Sequence, residues 1–416
     1  MPTAEETSTA QASSRWIVLL GVFGVYTAFG VMTTSTAALV PSIRADLDLS
    51  RGQMGLVLGA WQLGFIVAAI QAGRVIDKIG LRRALLLSCA VMATSVLLRS
   101  AAQDFWTLFL AVGILGLGAP LVAIGAPKTV SMLFDGDERG RAVGLYQTAP
   151  AIGGAIALAT ANGPISTVLD GSWRSISIVY AGVGVAAAVA WWIASDRLEV
   201  DTAHEPERHR PTELLRLPIV RVCLLLATAG FMFSHGVGQW LVDLLADEGR
   251  TLSHAGYLAA IGSLIGIVFT AIVPAVATPR RRVGVLSTAL LIGAFGTASL
   301  TIQGSEVLVA IATSSGARVI VLPICMLMLM DHRDVGPNNM AVAAGLFLTA
   351  AQIGGFVGPY ITGTLADSSG GFDRPMTLWA AVMAGVAVFV LLVVPNVTRN
   401  EPSRRAARRE ALRRTR

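Results

Sequence analysis

Twelve stretches of this chain are each apolar over about the 20 residues that a helix needs to cross a hydrocarbon core. The clearest are Trp16–Val40, Gln53–Ala72 and Phe105–Met132. Nine more fall near 84–102, 141–164, 174–194, 219–245, 254–276, 284–303, 306–330, 340–365 and 375–395, separated by short polar breaks. The runs lack period-2 alternation and are twice the length of a barrel strand, so strands are excluded. Composition agrees: 14% of residues are charged and the mean hydropathy is +0.66, whereas soluble domains are about 25% charged. The expected fold class is an all-α membrane protein with 12 transmembrane helices, and no stretch is left over for a soluble domain.

Lys and Arg in short loops stay cytoplasmic. With the N-terminus inside, the inner segments hold Arg74, Lys78, Arg82 and Arg83, then Arg139 and Arg141, then Arg208, Arg210 and Arg216, then Arg280–Arg282. A tail with eight arginines between Arg399 and Arg416 follows. The opposite loops hold mainly Arg44, Arg51, Arg174, Arg250 and Arg374. Both termini are therefore expected in the cytoplasm, with the chain multi-pass in the cell inner membrane. The formal net charge of +6 sits in loops and a tail without interleaved aromatics, so the tail is assigned to anionic lipid headgroups and no nucleic acid is expected.

Residues 1–15 lack a basic region feeding a short apolar stretch, so no cleavable signal peptide is expected and the first helix is its own insertion signal. Cys89, Cys223 and Cys325 are far apart and odd in number, which argues against a disulfide framework. Asn396-Val-Thr398 has the form of a glycosylation acceptor, but on the inner side it is discarded.

Laid against itself, the chain repeats. Gly144-Leu-Tyr-Gln-Thr-Ala-Pro-Ala-Ile-Gly-Gly154 matches Gly345-Leu-Phe-Leu-Thr-Ala-Ala-Gln-Ile-Gly-Gly355 at a shift of 201, and Gly55 matches Gly256 at the same shift. The organisation expected is a tail (1–15), a six-helix half (16–194), a linker (195–218), a second six-helix half (219–395) and a basic tail (396–416). Two such halves place a substrate site near the bilayer midplane between them.

The loop after the second helix reads Gly73-Arg-Val-Ile-Asp77-Lys78-Ile-Gly80-Leu-Arg82-Arg83-Ala-Leu85, and it resembles the signature of the major facilitator superfamily, with Leu81 in place of the usual Arg. The resemblance covers the whole chain and implies two pseudo-symmetric halves that rock about a central site. It assigns Gly73, Asp77, Gly80, Arg82 and Arg83 to gating. Physically, glycines permit a tight turn there, and Asp77 can pair with cations or a helix N-terminus on the other half. The second-half copy, Thr278-Pro-Arg280-Arg281-Arg282, keeps the charge and lacks the acid. Pro150-Ala-Ile-Gly153-Gly154 resembles part of an antiporter motif of that superfamily, with close helix packing as the alternative reading. The fourth helix has Val112 where proton-coupled members often have Arg, which disfavours a drug/proton antiporter.

A charge at the bilayer centre costs about 3 kcal/mol, so intramembrane polar residues need a reason. Arg318 stands midway along an apolar run and is expected to face the cavity and hold a carboxylate or other oxyanion, a structural ion pair being the alternative. Lys128, beside Pro127, is either a cavity cation or an interfacial anchor. His235, Gln239 and Asp243 recur every four residues and are expected to form one polar stripe. His235 would carry a coupling proton or hydrogen-bond a neighbouring helix. Asp243 would pair with Arg318 or sit solvated at the outer surface. Tyr146 and Gln352, with Trp61, Gln62, Gln147 and Tyr360, are weaker cavity candidates.

Gly-Ala-Pro-Lys in the fourth helix, Gly171-Ser-Trp173-Arg174, and the Ser-His-Gly and Gln-Trp-Leu of the seventh together resemble the cyanate and nitroimidazole permease branch. That implies a small anionic or compact polar substrate and leaves direction open. The function expected is a secondary active transporter for a small organic or inorganic anion, working by alternating access and coupled to protons. The alternative is efflux of a neutral drug-like compound such as a nitroimidazole. No nucleophile–base set, phosphate loop or metal-spaced His/Cys group occurs, so no enzyme, cofactor or metal is expected, and a monomer is.

Overall fold

Four of the spans begin where a side chain satisfies free N–H groups of the first helical turn. Ser50 and Asp104 form capping boxes with Gln53 and Thr107, and the side chains of Ser172 and Thr251 accept from the N–H groups of Ser175 and His254. The computed structural model describes residues 4–196, 211–302, 307–332 and 335–414. No strand occurs among the described residues, and 12 helices are long and apolar enough to span a membrane.

In chain order they are α1 (Ala4–Ala38), α2 (Arg51–Ile79), α3 (Leu81–Ser100), α4 (Phe105–Leu133), α5 (Gly136–Ala161), α6 (Trp173–Ala194), α7 (Pro218–Gly238), α8 (Leu252–Val276), α9 (Arg282–Ala298), α10 (Val307–Met330), α11 (Gly336–Ser369) and α12 (Asp373–Arg414). An even number of crossings returns the chain to the face where it began, called here the terminal face. The opposite one is the far face, where the short helices Val40–Leu47, Pro164–Val168 and Leu241–Asp247 connect the spans. Residues 197–210, at the centre of the expected linker, and the side chains of 398–416, which carry the expected lipid contact, lie outside the described residues.

Interhelical contact follows the repeat. A Cβ placed on Gly153 would lie 2.0 Å from the Thr27 carbonyl oxygen, and one on Gly354 would lie 2.0 Å from that of Thr228. These α5–α1 and α11–α7 contacts are the same contact one repeat apart. Between the halves, a Cβ on Gly55 would meet the Pro359 oxygen at 2.4 Å, and one on Gly256 the Leu158 oxygen at 2.4 Å. Within a bilayer, van der Waals packing at small residues drives such association, so these four positions fix how the helices cross inside and between the halves.

Two local expectations change. Gly80 makes the sharp break between α2 and α3 at φ +81°, while Gly73 lies inside α2 with open space around it, so the tight turn rests on Gly80 alone. The run expected over 219–245 is not one helix: α7 ends at Gly238 and a separate helix starts at Leu241. Trp240, in the turn between them, is fully buried and donates its indole N–H to the Pro359 carbonyl at 2.9 Å. Gly236 and Gly238 weaken the helix where that anchor pulls the chain aside.

Gly354→Val is expected to destabilise the protein by about 1–3 kcal/mol or more, because the added atoms meet backbone carbonyl rather than a side chain that can swing away. The readout is a lowered melting temperature in detergent. Gly24→Val, where a Cβ meets nothing within 4 Å, is expected to melt with the wild type.

Candidate functional site

A cavity of about 410 Å³ lies between the halves. Its walls are Thr33, Thr34 and Ala37 of α1, Trp61 of α2, Gln147 and Thr148 of α5, Ser234, His235 and Gly238 of α7, Gln239, Ser263 of α8, and Ser315 and Arg318 of α10. No acidic side chain is among the lining residues.

Arg318 projects from the middle of α10, and Nη2 donates to Ser315 Oγ at 2.7 Å. Its Nε has no partner, and among the described residues no carboxylate lies within ion-pair distance of it. A Cβ on Gly238 would stand 2.5 Å from Nη1, so the guanidinium occupies the space that a side chain would take there. His235 is flanked by the rings of Phe231 and Trp61 at 4.7 and 6.3 Å. Its Nδ1 lies 3.2 Å from the Phe231 carbonyl, which can only accept. The neutral ring therefore carries its proton on Nδ1 and leaves Nε2 open as an acceptor. The Oε1 of Gln239 is buried without a partner.

Three candidates stand elsewhere. Lys128 is not among the lining residues; it is near the terminal face, 43% exposed, with Nζ 3.0 Å from Asp77. Tyr146 is buried against Tyr26 at 5.4 Å, and Gln352 is buried in α11; neither lines the cavity. The polar stripe expected from residue spacing is broken by the turn at Gln239–Trp240, which carries Asp243 out to the far face. Asp243 is neither solvated nor paired with Arg318: it is 5% exposed and bound by two arginines of the first half. Arg44 Nη1 and Arg51 Nε reach its Oδ2 at 3.2 and 3.3 Å. Burial raises the Asp243 carboxyl above the ordinary aspartate value, with the two guanidiniums pulling the other way.

Those contacts belong to a cross-half latch. Arg51 Nη2 also reaches Asp247 at 2.5 Å, and the Arg51 guanidinium lies over the Phe372 ring at 4.7 Å. Asp367 of α11 accepts the N–H groups of Arg51 and Gly52 at 2.9 and 2.7 Å, capping α2 from the other half. At the terminal face, the described ion pairs all stay within one half: Lys128–Asp77, Arg15–Glu138, Arg82–Asp196, Arg139–Asp135 and Arg282–Asp331. Arg82 also donates to the Trp192 carbonyl at 2.9 Å, and Arg83 is exposed. Among the described residues, ion pairs between the halves occur at the far face and none occurs at the terminal face.

Arg99 escaped the reading of the sequence because it sits one residue from the end of its span, where basic residues are common. It is 3% exposed and donates to Thr36 Oγ1 at 2.6 Å and to the Met32 carbonyl at 3.0 Å, holding the stretch of α1 that presents Thr33 and Thr34 to the cavity. The lining hydroxyls Ser263 and Ser315 carried no signal beyond their residue type.

Residues 18–359 match the family model of the Major Facilitator Superfamily. The chain is similar to the hexuronate transporter of Bacillus subtilis, at 24% identity over 91% of this chain and 93% of that protein. It is also similar to a probable sulfoacetate transporter of Cupriavidus necator, at 23% identity over 88% of this chain and 90% of that one. In structure it is similar to a bacterial homologue of the human lysosomal transporter Spinster, in an inward-facing and occupied conformation. The TM-score is 0.74 at 17% identity, over 92% of this chain and 97% of that one.

Asp243→Asn removes the anion that the latch arginines share and is expected to open the far face. An Ala37→Cys reporter should then react several-fold faster with a membrane-impermeant maleimide added at that face, about tenfold if the latch contributes 1.4 kcal/mol. The three native cysteines are buried and supply little background.

Proposed function

The chain belongs to the Major Facilitator Superfamily, and from that membership we propose that it is a secondary carrier moving a small hydroxylated organic anion across a membrane by alternating access. Arg318 holds the anion. The observation that carries this reading is a permanently charged guanidinium in a cavity whose lining residues include no acid. At about 4 Å and an effective dielectric near 20, one cation attracts an anion by about 4 kcal/mol, enough to select it and little enough to let it go. The hydroxyl and amide groups of Thr33, Gln147, Ser234, Gln239 and Ser263 suit a polyhydroxylated body attached to the charge. The carriers of Bacillus subtilis and Cupriavidus necator named for hexuronate and sulfoacetate support an organic anion.

Transport in this reading is coupled to protons through His235, the one titratable side chain besides Arg318 among the lining residues. Nε2 takes the proton once the anion has offset the neighbouring guanidinium. Asp243 serves the latch instead. In this reading the terminal face, which carries the loop arginines, faces the cytoplasm, and the membrane is the inner membrane. Asp77, Gly80, Arg82 and Arg83 gate that face, turning from partners in their own half to the other half when it closes.

A thermal-shift screen of the purified protein against hexuronates, sulfoacetate, cyanate and nitrate, beside neutral nitroimidazoles, tests the anion site. One anion class is expected to stabilise the wild type and to lose its effect in Arg318→Gln. Gly238→Ala keeps the charge but displaces the guanidinium, and is expected to weaken that anion about tenfold, or 1.4 kcal/mol. Stabilisation by neutral compounds alone, unchanged in Arg318→Gln, would leave efflux of a neutral compound as the function. For the coupling, His235→Gln is expected to keep anion binding within about threefold, well under 1.4 kcal/mol. Uptake into proteoliposomes by that variant should no longer respond to a pH gradient.

A further inference from the structure

Among the described residues, the interior of the membrane-spanning bundle contains no acidic side chain. Asp77, Asp137, Glu138, Asp367 and Asp373 are the acidic residues within the spans, and each lies within two residues of a span end. Arg318, by contrast, stands midway along α10. Acids at the two faces are engaged by other groups. Asp243 and Asp247 hold Arg44 and Arg51, Asp367 caps α2, Asp77 holds Lys128, and Glu138 holds Arg15. None can reach Arg318 by turning a side chain, because each is fixed at a membrane face.

An anion carrier built this way, and the argument rests on the anion reading above, has no counter-charge of its own for Arg318. Alternating access requires a state closed at both faces, from which bulk water is excluded. The empty carrier enters that state with a guanidinium whose described side-chain partner is the neutral Ser315 hydroxyl, and an unpaired charge out of water is costly. The loaded carrier enters it with the guanidinium and the substrate anion as a pair. Reorientation of the loaded form is therefore faster than that of the empty form.

We infer that the protein is an anion exchanger in its fast mode: it swaps one small organic anion for another across the membrane more rapidly than it moves either of them net. Net transport needs the empty carrier to return in every cycle, and exchange never passes through the empty reorientation. The proton on His235 bears on net, gradient-driven movement and is not required for the swap.

The test uses wild-type protein in proteoliposomes with a protonophore present, so that no pH gradient contributes. Labelled galacturonate and labelled sulfoacetate are offered outside, to vesicles loaded with the same unlabelled anion, with the uncharged polyol galactitol, or with buffer alone. The expected result is that internal anion raises the initial entry rate about tenfold or more over buffer-loaded vesicles, equivalent to 1.4 kcal/mol or more, while galactitol does not. Equal rates with and without internal anion would overturn the inference and leave the anion carrier intact. So would acceleration by galactitol as large as by the anion, since charge would then not be the cause. Entry of neither anion under any loading, with no thermal stabilisation by either, would overturn the anion reading and the exchange mode with it.

Discussion

A bilayer offers no water to a stray backbone group, and this constraint shapes everything else in the molecule. Each spanning segment closes its own N–H···O=C bonds, and the helices then attract one another chiefly by close packing, with a few interhelical hydrogen bonds. Close packing needs places where two backbones can touch. Gly153 against Thr27, Gly354 against Thr228, Gly55 against Pro359 and Gly256 against Leu158 are such places, at equivalent positions of the two repeats. The first two build each half. The last two join the halves, and both lie toward the far face.

The same constraint sorts the charges. Carboxylates are confined to the faces, where they pair with loop arginines or cap helix ends, and at the far face they tie one half to the other through Arg44, Arg51 and Asp367. Those contacts are numerous but close to water, so they can be given up when the opposite face closes. Arg318 is the exception to the sorting. Its neighbours supply a hydroxyl and an empty space over Gly238 rather than a counter-ion. The proposed anion site and the proposed exchange mode both rest on a charge kept in that position.

The latch and the cavity share one segment of chain. His235 and Gln239 line the cavity, and Asp243, in the short helix that follows, ties the halves together at the far face. The cavity-lining end of α7 is thereby connected through the Trp240 anchor to the charges that hold the halves together. This is a contiguous mechanical route, built from a helix end, a buried indole and an ion pair.

What the sequence determined is what depends on local composition and on repetition. Twelve spans follow from hydropathy, two halves from the shift of 201, and the exposed cations from loop charge. Arg318 was legible because a charge deep in an apolar run has few bland explanations. Partnerships were not legible, because they depend on which helices cross and where they bend. Residue spacing put Asp243 on one stripe with His235, but Trp240 binds the Pro359 carbonyl and turns the chain, so Asp243 meets Arg44 and Arg51 instead. Lys128 was ambiguous in sequence and found Asp77, since only the packing of α2 on α4 brings those two together. Hydrophobicity acts on each segment alone and can be read along the chain, whereas an ion pair needs two distant segments placed within about 4 Å, and only the tertiary structure decides that.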